Sequence, residues 1–186
     1  NPALGPALDL PYAEREARAI GALYPTATVL VRGDATESAV KDLSREAGLV
    51  HLAMHGELNE REPLASALLL APDDRDDGRL EVREILRLEL NARLVVLSAC
   101  ETALGRLSRG DELVGLQRAF LYAGTPAVVA TLWKVDDRAS YELMRAFHGA
   151  LARGPAEALR RAQREVLGQF PHPFFWAAFG LTGLPR

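Results

Sequence analysis

Arg93-Leu-Val-Val-Leu-Ser-Ala-Cys100 is a near-continuous apolar run of strand length that ends in a small hydroxyl residue and a thiol. A strand buried on both faces reads this way, because helices cover both sides of a parallel sheet and leave no solvent face to alternate with. Two further runs have the same character, Leu49 to Met54 upstream and Ala127 to Leu132 downstream. Between and around them the apolar period changes from continuous to helical. Asp111 to Tyr122 closes on Gly124 and Pro126, and Asp137 to Ala152 carries aspartates at its start, where the helix dipole favours negative charge.

Outward from this centre the alternation continues. Asp9 to Tyr24 predicts a helix, with Pro11 in the first turn and Ala13, Ala17 and Ile20 at helical spacing. Ala27 to Arg32, rich in Val and Thr, predicts a strand; a helix follows in which Asp34 and Glu37 have capping-box spacing and Gly48 marks the end. Gly154-Pro155 starts a helix running to Gly168, and Trp176 to Leu181 predicts a last strand. Ala71 to Gly78 is polar and turn-rich, so it reads as an exposed loop inside the domain. Strands alternating with helices predict an α/β fold with a mostly parallel sheet and helices on both faces.

The chain has 186 residues, 48% hydrophobic and 25% charged, which suits a single folded domain and excludes a disordered, collagenous or coiled-coil state. Its 22 basic and 25 acidic side chains give a net charge of −3, so there is no basic excess for phosphate contacts and nucleic acid is not the expected partner. Cys100 is the one cysteine, which excludes an intrachain disulfide and a cysteine-based metal cluster and fits a reducing, cytoplasmic setting. No apolar run reaches the roughly 18 residues of a membrane span, and no signal peptide is evident, so no membrane association is expected. A start at Asn1 suggests a fragment of a longer chain.

His55-Gly56 follows one predicted strand and Cys100 ends another. In a parallel sheet both then reach the carboxyl edge, where α/β proteins build their sites. A thiol needs a base or a positive charge beside it to become a thiolate, and an imidazole can take that proton and return it to a leaving amine. A glycine beside the base lets a backbone N–H approach a developing oxyanion. His51 and His55 are four apart, but on a strand that separates them by about 13 Å, so no metal pair is expected. No H-E-x-x-H, G-x-S-x-G or glycine-rich phosphate loop occurs. No cofactor is required by this chemistry.

His51-Leu-Ala-Met-His55-Gly56, Leu97-Ser-Ala-Cys100-Glu-Thr102, Leu116 to Gly124, Val128 to Asp137 and His172-Pro-Phe-Phe-Trp-Ala-Ala-Phe179 resemble, in order, the motifs of the CHAT domain family. That family groups with separases, caspases and gingipains, and its domain is often found behind tetratricopeptide repeats. The resemblance covers nearly the whole chain, 1–186. It implies a caspase-like three-layer α/β/α sandwich, a cysteine endopeptidase acting on protein or peptide substrates, and upstream repeats or a regulatory protein as partner. By position, Cys100 is the expected nucleophile and His55 the general base and acid, with the amides of Gly56 and Cys100 as oxyanion donors. His51 matches the first histidine of the HxxxHG pattern and is expected to be structural.

Relatives in this clan hold a basic P1 side chain with a carboxylate, which makes Asp136, Asp137 and Asp111 the candidates for that pocket. Each has an alternative role as a helix cap, and Lys134 beside them argues against a purely acidic site. Phe179 and Trp176 read as core, His172 as a turn residue, and His148 as solvated helix surface. The run Asp73, Asp74, Asp76 and Asp77 reads as a solvated acidic turn in preference to a calcium loop. Ala71 to Gly78 and Glu101 to Asp111 are candidate mobile segments, and Arg106 and Arg109 in the latter are candidate self-cleavage sites. The competing reading is a non-catalytic caspase-like module that binds and relays.

Overall fold

The three apolar runs form three adjacent parallel strands in the computed structural model, which describes residues 9–101 and 111–184 together with Gly5, and the backbone alone at 99–101 and 111–114. In chain order the elements are α1 (Pro11–Gly21), α2 (Glu37–Ser44), β1 (Leu49–Glu57), β2 (Ala67–Leu69), β3 (Arg79–Glu81), α3 (Val82–Ile85), β4 (Leu94–Glu101), α4 (Asp111–Tyr122), β5 (Ala127–Thr131), α5 (Asp137–Ala150), α6 (Pro155–Gln169), α7 (Pro173–Trp176) and β6 (Phe179–Gly183). They make one six-stranded sheet in the order β3-β2-β1-β4-β5-β6. The middle of the sheet is parallel, β1 against β4 and β4 against β5. β2, β3 and β6 join antiparallel on the flanks, so the sheet is mixed.

Each face of the sheet buries its own core, because successive side chains of a strand point to opposite faces. Val50, Leu52 and Met54 of β1, Val95 and Leu97 of β4 and Val128 and Ala130 of β5 pack with Val40, Val82, Ile85, Leu116 and Phe120 from α2, α3 and α4. The alternate positions Leu94, Val96, Ala127 and Val129 pack with Ile20, Leu143, Phe147, Leu159 and Val166 from α1, α5 and α6. The result is a three-layer α/β/α arrangement compatible with a caspase-like fold.

Several local expectations are corrected. Residues 27–31 form no strand of the sheet: β2 pairs β1 only at Gly56 and Glu57, and the segment stands off the rest of that edge across a groove it lines together with β1. That segment instead folds back on α1, where a Cβ at Gly21 would collide with the Val29 side chain. α2 starts later than the capping-box reading placed it: Thr36 is its N-cap, and its hydroxyl accepts from Ala39 N at 3.2 Å. The last predicted strand divides into the short α7 and β6.

The polar stretch from Ala71 to Gly78 is the connection between β2 and β3. Gly78 takes φ +86°, and a Cβ there would lie 2.6 Å from the Leu70 carbonyl oxygen, so the turn needs glycine. The aspartates of this loop close it. Asp73 accepts from Arg75 N at 2.9 Å, from Asp76 N at 3.0 Å and from the Ser38 hydroxyl. Asp76 reaches Lys41 Nζ at 2.9 Å, where Glu37 at 2.7 Å and Glu84 at 2.8 Å also converge. The three carboxylates outweigh the burial that disfavours a charge there, and hold the ammonium above the ordinary lysine value.

Candidate active site

β1 and β4 run side by side in an unbroken parallel register from Leu49↔Leu94 to Gly56↔Glu101, and within it His55 is the partner of Cys100. Both positions lie at the carboxyl ends of their strands, the edge at which open α/β sheets build sites. Adjacent strands are about 4.8 Å apart, so the register brings the two backbones together although 45 residues of sequence separate them. His55 is buried, with 6% of its surface exposed. It belongs to the β1 positions that alternate with Val50, Leu52 and Met54, and so faces the layer of α1, α5 and α6. Gly56 follows at a point where β1 is paired by β2 on one side and β4 on the other. The side chain of Cys100 lies outside the described residues.

The aspartates proposed for a basic P1 side chain separate on inspection. Asp136 is exposed and is the N-cap of α5, its carboxylate accepting from Ala139 N at 3.0 Å. Asp137 is half-buried and accepts the backbone N–H of Tyr12 at 3.0 Å, which ties the start of α5 to the start of α1. Burial raises its pKa first; the Tyr12 N–H opposes this, Glu16 and Asp136 reinforce it, and His55 opposes it again. Of the two, Asp137 is therefore the carboxylate electrostatically engaged with His55. The side chains of Asp111 and Glu112, and residues 102–110 with Arg106 and Arg109, lie outside the described residues.

Two side chains beside this site were misread or missed. His148 is 5% exposed and not solvated surface; its Nε2 lies 3.1 Å from His51 Nδ1 and its Nδ1 lies 2.8 Å from the Tyr24 hydroxyl. Glu16, 2% exposed, meets His51 Nε2 at 2.8 Å. Both carry a signal in the sequence: His148 continues the buried stripe Ala139, Ser140, Leu143, Met144 and Phe147 of α5, and Glu16 stands between Ala13 and Ile20 on that of α1. His51 lies on β1, as expected, and bonds Glu16 through Nε2 and His148 through Nδ1. His172 caps α7 by accepting from Phe174 N at 3.2 Å, and Phe179 is core, while Trp176 is half-buried at its margin.

Trp133 follows β5 and donates from Nε1 to the Phe174 carbonyl at 3.0 Å, joining the loop after β5 to α7. Leu132 and Phe174 are exposed next to this bond. A groove of about 1410 Å³ runs along β1 from Leu49 at the amino end of the strand to Met54, with Val29 and Leu30 on its far side. Among the described residues, Glu37, Asp76 and Glu84 converge closely enough to hold a metal ion, and Lys41 Nζ is bonded to all three. No described helix is long and apolar enough to cross a membrane.

Tetratricopeptide repeat protein 28 of Mus musculus is 37% identical over 68% of the chain, and its Homo sapiens counterpart is 29% identical over 94%. The chain spans only 5% and 8% of those two proteins. The family model for the CHAT domain matches residues 3–184. With that match covering nearly its whole length, the chain belongs to the CHAT domain family.

Proposed function

We propose that this domain is a cysteine endopeptidase with a Cys100–His55 dyad. The observation that carries the reading is the register of β1 and β4, which sets the two positions side by side at the carboxyl edge. His55 takes the thiol proton, and the thiolate attacks the scissile carbonyl. The amides of Gly56 and Cys100 stabilise the oxyanion. The imidazolium then protonates the leaving amine, and water, activated by the same imidazole, hydrolyses the thioester and frees Cys100. Asp137, which interacts electrostatically with His55, is the better candidate of the aspartates for pairing with a lysine or arginine at P1.

The names of the relatives support a second element of the proposal, that the domain works in a longer chain or complex with tetratricopeptide repeats that regulate it. A reducing, cytoplasmic compartment suits the thiol. Intact-mass labelling with peptidyl electrophiles carrying Arg, Lys, Asp or Leu at P1 tests the reading. Rapid labelling that is lost in both Cys100→Ala and His55→Ala supports it. Labelling at the rate of a free thiol, unchanged by His55→Ala, supports a non-catalytic interaction module.

A further inference from the structure

Four polar side chains from three elements meet between the sheet and its helices. Glu16 comes from α1, Tyr24 from the turn after it, His51 from β1 and His148 from α5. They form one line: Glu16 Oε1 to His51 Nε2 at 2.8 Å, His51 Nδ1 to His148 Nε2 at 3.1 Å, and His148 Nδ1 to Tyr24 Oη at 2.8 Å. The rings of His51 and His148 also stand edge to face, with centroids 5.0 Å apart.

Donor and acceptor arithmetic orders the line. Ionised Glu16 only accepts, so His51 Nε2 donates to it. The His51 Nδ1 lone pair then accepts from His148 Nε2–H, and His148 Nδ1 accepts from the Tyr24 hydroxyl. Every group is satisfied with both imidazoles neutral. A proton added to His148 would place a cation in a site with no carboxylate of its own, against a second imidazole. Burial, reinforced by His51, lowers the His148 pKa to about 3. The line therefore refuses a proton at His148 for as long as α1 covers it.

We propose that Glu16, His51, His148 and Tyr24 form an acid-released latch: α1 stays docked on β1 and α5 while His148 is neutral, and opens as the pH falls because only the open form can protonate His148. α1 and the turn after it supply the two ends of the line, Glu16 and Tyr24, so lifting them together uncovers His148. The groups facing the line are Glu16 and Tyr24 from α1 and its turn, His51 from β1, and Asp137 from the head of α5, which acts on Glu16. On α1 itself Arg18 is turned to Glu14, and on α6 Arg160 and Arg161 pair with Glu157 on the outer face. Opening also breaks the Tyr12 N–H bond to Asp137, so the latch reaches the carboxylate beside His55. It holds whether or not Cys100 is a nucleophile.

Hydrogen exchange of the whole chain between pH 7 and 5, corrected for intrinsic rates, tests it in the wild type, His148→Gln and Tyr24→Phe. One proton taken up on opening makes the opening equilibrium of α1 (Pro11–Gly21) rise about tenfold per pH unit below the ordinary histidine value. Amides of β5 should not follow. His148→Gln, which keeps a donor and an acceptor but cannot titrate, should flatten the dependence, and Tyr24→Phe should weaken protection at every pH while keeping the slope. A flat wild-type profile, or an equal slope in His148→Gln, overturns the proposal. Ring ¹⁵N shifts of His148 in the wild type decide independently of any variant: a neutral ring at pH 5.5 supports it, a protonated one overturns it.

Discussion

His55 and Cys100 are register partners on adjacent parallel strands, so the relation between them is fixed by the same backbone ladder that runs from Leu49↔Leu94 through the centre of the sheet. The ladder that places the two backbones runs through strands that carry both cores, β1, β4 and β5. General-base assistance from a positioned side chain contributes about 10²–10⁴-fold. His55→Ala should therefore slow Cys100 labelling by a peptidyl electrophile by that factor. Reaction with a small alkylating agent at high pH, where the thiol ionises unaided, should change little. Comparing the two rates in one protein checks the assignment without depending on a natural substrate.

The neighbouring aspartates should respond differently to mutation. Asp136→Ala removes the side-chain cap of α5 and should cost about 1 kcal/mol in urea unfolding, with P1 preference unchanged. Asp137→Asn keeps an oxygen that can accept the Tyr12 N–H but removes the charge near His55. It should leave stability nearly as it was and lower the preference for Arg over Leu at P1. A loss of that preference in Asp136→Ala alone would reverse the roles of the two residues.

The central strands were legible in the sequence because each is buried on both faces, and continuous apolar runs such as Leu94–Ala99 leave few other readings. The helices followed from period and punctuation. What failed were segments whose structure depends on partners distant in sequence. Ala27 to Arg32 has strand composition but packs on α1 and faces β1 across a groove without joining the sheet. β2 and β3 are three residues each, too short for a periodic signal. His148 was misjudged and Glu16 missed for a related reason: residue type argued for solvent, while their positions on the apolar stripes argued for burial, and hydrogen bonds to His51 and Tyr24 make that burial tolerable.

Lys41 anchors the β2–β3 connection to α2 through three carboxylates, of which Glu37 is almost fully buried. Lys41→Met keeps the aliphatic stem and removes the charge, leaving Glu37, Asp76 and Glu84 facing one another. Removing one partner of a buried ion pair costs roughly 3–5 kcal/mol. Part of this is recovered here, because burial already raises the Glu37 pKa and a proton can replace the ammonium. The expected loss is about 2–3 kcal/mol at pH 7, shrinking as the pH falls towards the carboxylate range. Urea midpoints for wild type and Lys41→Met at pH 7 and pH 5 measure both the loss and its direction with pH.

His148 also makes the whole domain acid-labile. The ordinary histidine value is 6.5 and the folded value is about 3. Between the two, the unfolded chain binds a proton at this position and the folded chain does not. Stability conferred by the neutral ring is thus complete above about pH 6.5 and falls as the pH drops towards 3, by up to about 1.4 kcal/mol per pH unit. His148→Gln loses the packed imidazole and should be less stable than wild type at pH 7.5. It is also spared this penalty, so its deficit should narrow with acidification and close or invert near pH 5. Unfolding free energies of the two proteins at half-unit intervals from pH 7.5 to 4.5 give the difference directly. Parallel curves would mean that His148 titrates equally in both states and that its burial carries no such linkage.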